Sequence, residues 1–257
     1  MKSPIKDLTR ELNGISIVKE LVPEGAMVDS YLFYGGTPEL SLCYADREVN
    51  AITNCYVVYE FWKCMQVDPQ RVYDIVTCED FKFNHPEMFP VLQEHWHTYS
   101  NPYLRSAMFF LLNRCSEKGL ISSGELSHDN YTSLSINYLK RYKISEKFNL
   151  KYVPAPGAEL TTFLTDNTES DFLYIAPGNF SYNLFEQGKS MGPEQTSVNN
   201  RKLQQFFNDT KSKVILHYNY HAGIANLYGN KELILIDQYG RRTTDLEKSK
   251  EVIIANF

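Results

Sequence analysis

The stretch that decides the fold reads MVDSYLFYGG at residues 27–36. Its first eight positions are mostly apolar or aromatic, which predicts a buried strand over Met27–Tyr34. The pair Gly35-Gly36 predicts a tight turn directly after that strand, because glycine adopts backbone conformations that other residues avoid. A strand that ends in a glycine turn is typical of the opening of a nucleotide-type α/β unit.

The segments on either side extend this α/β pattern. The N-terminal segment predicts a helix over about Ser3–Val22. Downstream, Leu40–Ala45 predicts a second short strand that ends at Asp46. Apolar residues recur at helical spacing over Arg47–Met65 and predict a long helix there.

The middle of the chain differs from its two ends. Residues 68–152 show mostly helical patterns, at Pro86–Trp96 and Tyr103–Cys115, whereas residues 153–257 alternate between strands and helices. We therefore predict an α/β fold whose core comprises residues 1–67 and 153–257, with an inserted, mostly helical subdomain at residues 68–152. The elements predicted in the second part of the core are strands at Asp171–Ile175, Lys213–Tyr218, Glu232–Asp237 and Glu251–Asn256, and helices at Asn199–Asp209 and His221–Tyr228.

The composition is that of an ordinary globular protein with an acidic balance. Hydrophobic residues make up 43% of the chain and charged residues 22%, so a substantial core is expected. The net charge of −5 argues against a dedicated nucleic-acid-binding domain, because phosphate contacts need basic residues. Five cysteines, with no pair separated by two residues, favour free thiols in a reducing cytoplasm over disulfides or a zinc site. The absence of any run of about 18 apolar residues predicts no membrane span.

The glycine turn matches a motif of one enzyme family. Phe33, Gly35 and Gly36 fit an acid-x-Phe-x-Gly-Gly turn, in which the glycines let the backbone approach a cofactor, and Tyr31 stands in the place of the acid. In these residues and in the order of its elements, the chain resembles the Dam-type family of adenine-specific DNA methyltransferases. The resemblance implies a Rossmann-like core that binds S-adenosylmethionine (AdoMet), with a helical DNA-recognition insert.

Two further positions correspond to the cofactor site of that family. Asp46 corresponds to an acid that holds the ribose hydroxyls at the end of the second strand, and an acid there also serves as a helix N-cap. Gly14 corresponds to one residue of a Gly-Gly-Lys segment whose lysine is absent here. The cofactor-binding residues that the resemblance implies are Gly14, Phe33, Gly35, Gly36 and Asp46.

Weaker matches lie in the insert and near the C-terminus. Asn113, Gly119 and Leu120 correspond to an asparagine and a Gly-Leu turn at the end of a helix. Lys213–Asn219 and Glu251–Phe257 resemble the last parallel strand and the closing strand of the family.

The catalytic loop of the family is degenerate in this chain. In the family, an Asp-Pro-Pro-Tyr loop follows the fourth core strand: the acid accepts a hydrogen bond from the adenine amine, and the tyrosine stacks on the flipped-out base. Here Ala176-Pro177-Gly178 is followed by Asn179 and Phe180, so alanine replaces the acid and asparagine replaces the tyrosine. Loss of one preorganised polar group typically costs about 10²–10³ in rate. The sequence therefore predicts no intact catalytic set.

The favoured hypothesis is a catalytically inactive relative of the DNA adenine methyltransferases, which acts by binding and not by methyl transfer. Protein assembly and DNA are both open as its target, and 18 tyrosines with an acidic charge favour protein or self-assembly. The alternative is an active AdoMet-dependent methyltransferase with a rearranged loop that uses Asn179 or an acid from elsewhere. AdoMet is the implied cofactor, whether retained or lost, and no metal is predicted. Divergence of this extent fits a viral or phage gene, whose product would act in the host cytoplasm.

Overall fold

A computed structural model describes residues 3–7, 10, 12–78, 87–121, 125–143, 145–154, 160–162, 164, 169–180 and 198–257. Within these ranges the protein is an α/β structure built on one seven-stranded mixed sheet. The strands are β1 (Met27–Tyr31), β2 (Glu48–Thr53), β3 (Phe148–Tyr152), β4 (Phe172–Gly178), β5 (Lys213–Asn219), β6 (Leu233–Asp237) and β7 (Ser249–Ala255). The helices are α1 (Ile15–Leu21), α2 (Thr37–Cys43), α3 (Tyr56–Val67), α4 (Pro69–Thr77), α5 (Met88–His95), α6 (Pro102–Cys115), α7 (Ser133–Arg141), α8 (Asn200–Asp209) and α9 (Ala222–Tyr228).

The strand order is β3-β2-β1-β4-β5-β7-β6. Strands β1 to β5 are parallel to one another, whereas β7 runs antiparallel to both of its neighbours, β5 and β6. The direction in which successive strands are added reverses between β1 and β4. In open parallel sheets, ligands bind beyond the carboxyl ends of the strands at such a switch point. The arrangement is compatible with a Rossmann-like fold.

Helices cover both faces of the sheet, because successive side chains of each strand point to opposite faces. Helices α1 to α7 share a hydrophobic core with one face, to which β1 contributes Val28 and β4 contributes Tyr174 and Ala176. Helices α8 and α9 pack on the other face against residues such as Leu173 and Ile175. The described helices of the insert therefore share the main core, and the described residues form no separate hydrophobic core within the insert.

Three predictions for the first third of the chain were wrong. Leu40–Ala45 is not a strand: Leu40–Cys43 belongs to α2, whose proline in the first turn is a helix-start signal. The predicted helix Arg47–Met65 contains β2 followed by most of α3, because a short, fully buried strand has the same apolar pattern as a buried helix. The first helix begins at Ile15, so Ser3–Asp7 lies outside it.

The boundary of the insert also needs correction. Phe148–Tyr152, assigned to the insert, forms the edge strand β3 and pairs with β2. The helical part of residues 68–152 therefore ends before Phe148. The predicted helices within it correspond to α5 and α6, while Pro86 lies outside the described residues.

The last hundred residues follow the prediction closely. Strands β5, β6 and β7 and helices α8 and α9 all form within two residues of the expected positions. Strand β4 is longer than predicted and continues through Ala176 and Pro177 to Gly178. All five cysteines are free thiols, four of them buried. No helix in the described part of the chain is long and apolar enough to cross a membrane.

Candidate functional site

A cavity of about 370 Å³ lies at the carboxyl ends of β1 and β4, where the strand order reverses. This volume is within the range of small-molecule sites. The residues after β1, the first turn of α2 and the N-terminal segment form much of its wall, and Ala176 of β4 reaches it from the sheet. The cavity therefore occupies the position at which parallel sheets bind ligands.

The backbone after β1 is shaped by two unusual conformations. Leu32 has φ 62°, a left-handed conformation that costs a non-glycine residue about 1–2 kcal/mol. Gly36 has φ 77° and caps α2. A Cβ on Gly36 would lie 2.7 Å from the Trp62 ring, which also donates a hydrogen bond to the Tyr34 carbonyl (2.8 Å). The turn is thus fixed by its contacts with Trp62 in the hydrophobic core.

The N-terminal segment lies over the same turn from the other side. A Cβ on Gly35 would lie 2.7 Å from the Cβ of Asp7, so Asp7 occupies the close approach that this glycine permits. Arg10 forms an ion pair with Asp7 (3.4 Å) and donates a hydrogen bond to the carbonyl of Leu32 (3.3 Å). Part of the space above the glycine turn is therefore filled by the protein itself.

Glu39, on α2, is a buried carboxyl group that lines the cavity. The Ser30 hydroxyl donates a hydrogen bond of 2.6 Å to its Oε1. Burial raises the pKa of Glu39 above its usual range, because desolvation disfavours the charged form. The carboxyl group therefore tends to be protonated more readily than a surface glutamate.

Hydrogen bonds fix the N-terminal segment to the end of α6. The Asn113 side chain accepts from the Lys6 N–H (2.7 Å) and donates to the Lys6 carbonyl (3.0 Å). The Lys6 ammonium donates to the carbonyls of Arg114 and Ser116 (2.9 and 3.0 Å). Arg114 in turn donates to the carbonyls of Ser3 and Pro4. These contacts join residues more than 100 positions apart into one wall of the cavity.

The end of β4 presents little chemistry to the cavity. Ala176 is 5% exposed and lines the cavity with a methyl group. Asn179 accepts a hydrogen bond from the Asn219 side chain (2.7 Å), and the Phe180 ring stacks on His221 with 5.3 Å between centroids. Asn179 is therefore engaged with the last residue of β5, and Phe180 with a residue that follows this strand. Residues 181–197 lie outside the described residues.

A buried polar chain runs beneath this strand end. Tyr174 Oη lies 3.0 Å from His217 Nδ1, and His217 Nε2 lies 3.0 Å from Glu251 Oε2. Glu251 also accepts the N–H groups of Asn13 and Gly14 (2.7 and 2.8 Å). Burial lowers the pKa of His217, although the Glu251 carboxylate opposes this shift. The chain links β4, β5 and β7 to the residues just before α1.

The structure separates the residues assigned to the cofactor site. Gly35 and Gly36 line the cavity, whereas Phe33 is buried against Trp62, with 5.2 Å between ring centroids. Gly14 packs in the core, where a Cβ would lie 2.4 Å from the side chain of Ile236.

The prediction that Asp46 ends the second strand was wrong. Asp46 has φ 66° and precedes β2, at the amino end of the sheet, where its exposed side chain pairs with Lys147. The polar residues at the carboxyl end of β2 are Thr53 and Asn54. Because β2 begins at Glu48 and does not end at Asp46, the predicted ribose-binding acid lies at the wrong edge of the sheet.

Several cavity residues escaped the sequence argument altogether. Asp7, Arg10, Glu39, Arg114 and Tyr138 are contributed by separate segments, and no local motif groups them. The sequence signal for this wall of the cavity was the pair Asn113-Arg114 followed by Gly119. In the structure, the Asn113 side chain donates a hydrogen bond to the Gly119 carbonyl (2.9 Å).

The described residues contain no cluster of three or more His, Cys, Asp or Glu that could hold a metal ion. No protein-family model matches the chain, and no curated protein is significantly similar to it.

Proposed function

We propose that this protein is a catalytically inactive relative of the DNA adenine methyltransferases, which acts by binding and not by methyl transfer. The observation that carries the proposal is Ala176: at the strand end beside the switch-point cavity, a methyl group stands where the family needs a hydrogen-bond acceptor. The sheet order supports the relationship, since the order β3-β2-β1-β4-β5 with a terminal β6–β7 hairpin suits the Rossmann-like core that the resemblance implies.

The residues around the cavity do not fit AdoMet in the way that the family holds it. Tyr31 stands in the place of the acid, at the last position of β1, and is 3% exposed, whereas Asp46 lies at the amino end of the sheet, before β2. Asp7 covers Gly35, where a cofactor would approach the backbone. Three separate differences at the cofactor site thus accompany the loss of the catalytic acid.

The alternative, an active methyltransferase with a rearranged site, is favoured by one observation. Asp7 and Glu39 line the same cavity as Ala176 and offer carboxyl groups. However, Asp7 is paired with Arg10, and burial favours the protonated form of Glu39. Neither group is well prepared to accept a hydrogen bond from an amine.

The test is methyl transfer from radiolabelled AdoMet to unmethylated duplex DNA, together with calorimetric titration of AdoMet and sinefungin. We expect no incorporation above the level of a protein-free control and no saturable heat at millimolar ligand. Stoichiometric or catalytic methylation that disappears in Glu39→Gln would overturn the proposal in favour of the alternative. Binding of AdoMet without methylation would leave the lack of catalysis intact and would show that the cofactor site survived.

Protein assembly is the favoured branch of the binding role. Residues 68–152, which would face DNA in the family, contain ten Lys or Arg and ten Asp or Glu, so they supply no basic excess. By contrast, Tyr56, Tyr59 and Tyr152 form an aromatic cluster with centroid distances of 5.5–6.4 Å, and Tyr56 is 50% exposed. Exposed aromatic clusters are typical of protein interfaces. Fluorescence anisotropy with a labelled duplex at low salt should show only weak binding; tight, salt-dependent binding would favour DNA instead.

A further inference from the structure

Arg114 is a buried cation with no carboxylate partner among the described residues. Its side chain lies in the last turn of α6, is 7% exposed and lines the switch-point cavity. Glu117 also lines the cavity, but its side chain is exposed to solvent. A guanidinium group stays charged in proteins, and a buried charge without a counter-charge is costly.

The contacts that Arg114 does make leave much of its hydrogen-bonding capacity unused. Both of its hydrogen bonds, to the carbonyls of Ser3 and Pro4, come from Nη2. Within the described part of the chain, Nε is buried and has no hydrogen-bond partner. The rings of Phe110 and Tyr138 lie 5.9 and 5.6 Å from the guanidinium carbon. Carbonyls and ring faces stabilise the cation, but neither neutralises it.

The surroundings of Arg114 add positive charge to this wall of the cavity. The Lys6 ammonium donates to the Arg114 carbonyl and also lines the cavity. Two carboxyl groups that line the cavity already have partners, since Asp7 is paired with Arg10 and Glu39 is hydrogen-bonded to Ser30. Burial lowers the pKa of Arg114 to about 10, a sign that its charge is poorly compensated.

We propose that the cavity binds a small organic anion whose carboxylate or phosphate group pairs with Arg114. Guanidinium groups bind such oxyanions through two parallel hydrogen bonds, which Lys does not reproduce. The rest of the ligand would contact the apolar part of the wall, formed by Ile5, Leu12, Leu32, Tyr34 and Pro38. This inference rests on the proposed binding role, and it names the chemistry of the ligand rather than its source.

The first experiment is thermal unfolding of the whole chain, titrated at constant ionic strength with benzoate, phenyl phosphate, inorganic phosphate and, as the neutral control, benzyl alcohol. We expect the unfolding temperature to rise and saturate with an aromatic anion, and to stay unchanged with benzyl alcohol. Benzoate and phenyl phosphate distinguish a carboxylate from a phosphate ligand. A linear, non-saturating rise with every anion would be a general salt effect and would overturn the proposal. An equal response to benzyl alcohol would also overturn it.

The variant test compares Arg114→Gln with Arg141→Gln, an exposed arginine in the last turn of α7. Arg114→Gln should weaken binding of the anion by at least about tenfold, as expected for loss of a charge-assisted hydrogen bond. Arg141→Gln should leave the affinity within about twofold. Equal affinities in the two variants would refute the assignment.

Because Arg114 also holds the N-terminal segment, Arg114→Gln could unfold, and the unaltered protein provides a second measurement. Crystals soaked in selenate should show an anomalous peak beside the Arg114 guanidinium; a peak only elsewhere, or none, would overturn the proposal. The methyl-transfer assay stays independent of this result. Loss of the anion site leaves the absence of catalysis untouched, whereas methyl transfer would refute the proposed function whether or not an anion binds.

Discussion

The carboxyl ends of two neighbouring strands, β1 and β4, meet at one cavity but are built differently. After β1, the Gly35-Gly36 turn is supported from below by Trp62 and covered from above by Asp7, and it lines the cavity. At the end of β4, a methyl group at Ala176 faces the cavity, and Asn179 and Phe180 are engaged elsewhere.

The difference shows that the walls of the cavity and the side chains at the β4 end depend on different parts of the structure. The shape of the cavity depends on the sheet and on buried packing around the first turn. Under the proposed function, catalysis would need a hydrogen-bond acceptor at the β4 end, where Ala176 stands. The proposed function predicts that a protein with this pair of strand ends binds a ligand in the cavity without acting on it.

The substitution expected to destabilise the turn after β1 most strongly is Trp62→Ala. Trp62 is fully buried, packs against Phe33 and Gly36, and donates a hydrogen bond to Tyr34. We expect a loss of about 3–5 kcal/mol in the free energy of unfolding, measured by urea denaturation. Tyr56→Ala, on the same helix but half exposed, is the control and should cost less than about 1 kcal/mol. Equal losses would show that the support beneath the turn is unimportant.

A finer test of the same turn compares Gly36→Ala with Gly25→Ala. Both glycines have φ near 78°, so each substitution should lower the free energy of unfolding by about 1–2 kcal/mol, because alanine is strained in this left-handed conformation. A Cβ on Gly36 would also meet the Trp62 ring, whereas nothing lies within 4 Å at Gly25. We expect Gly36→Ala to be less stable than Gly25→Ala by a further 1–3 kcal/mol or so, about the cost of overpacking. If chemical denaturation gave the same stability for both, close packing under the turn would be disproved.

The polar chain beneath the β4 end should make stability depend on pH. His217 is buried, and its pKa is lowered from the ordinary value of 6.5. The unfolded chain therefore binds more protons than the folded protein as the pH falls through this value, and stability falls with it. Protonation of His217 lowers the free energy of unfolding by at most about 1.4 kcal/mol per pH unit.

The measurement is the free energy of unfolding at several values between pH 7 and pH 5, for the unaltered protein and His217→Gln. The variant should show a shallower decrease than the unaltered protein. His97→Gln, at an exposed position, is the matched control and should keep the full slope. A slope unchanged by His217→Gln would place the pH dependence in other groups.

Much of the fold could be predicted from the sequence, but unevenly. The amphipathic helices α8 and α9 and the strands β5 and β7 lie where the pattern placed them, because apolar periodicity is clear there. The prediction for Leu40–Met65 was wrong because β2 is buried on both faces and carries no alternating pattern. That single failure moved Asp46 to the wrong edge of the sheet.

The sequence by itself determined the α/β class, because the order of its apolar segments predicts alternating strands and helices. It also determined the glycine turn after the first strand and the lack of an acid at Ala176, since both are properties of a short local segment. Only the tertiary structure decided which side chains surround the cavity. Asp7, Glu39 and Arg114 come from the N-terminal segment, α2 and α6, and the packing of helices on the sheet brings them together. Contacts between residues about 30 to 110 positions apart depend on how the elements pack, and no local pattern encodes that arrangement.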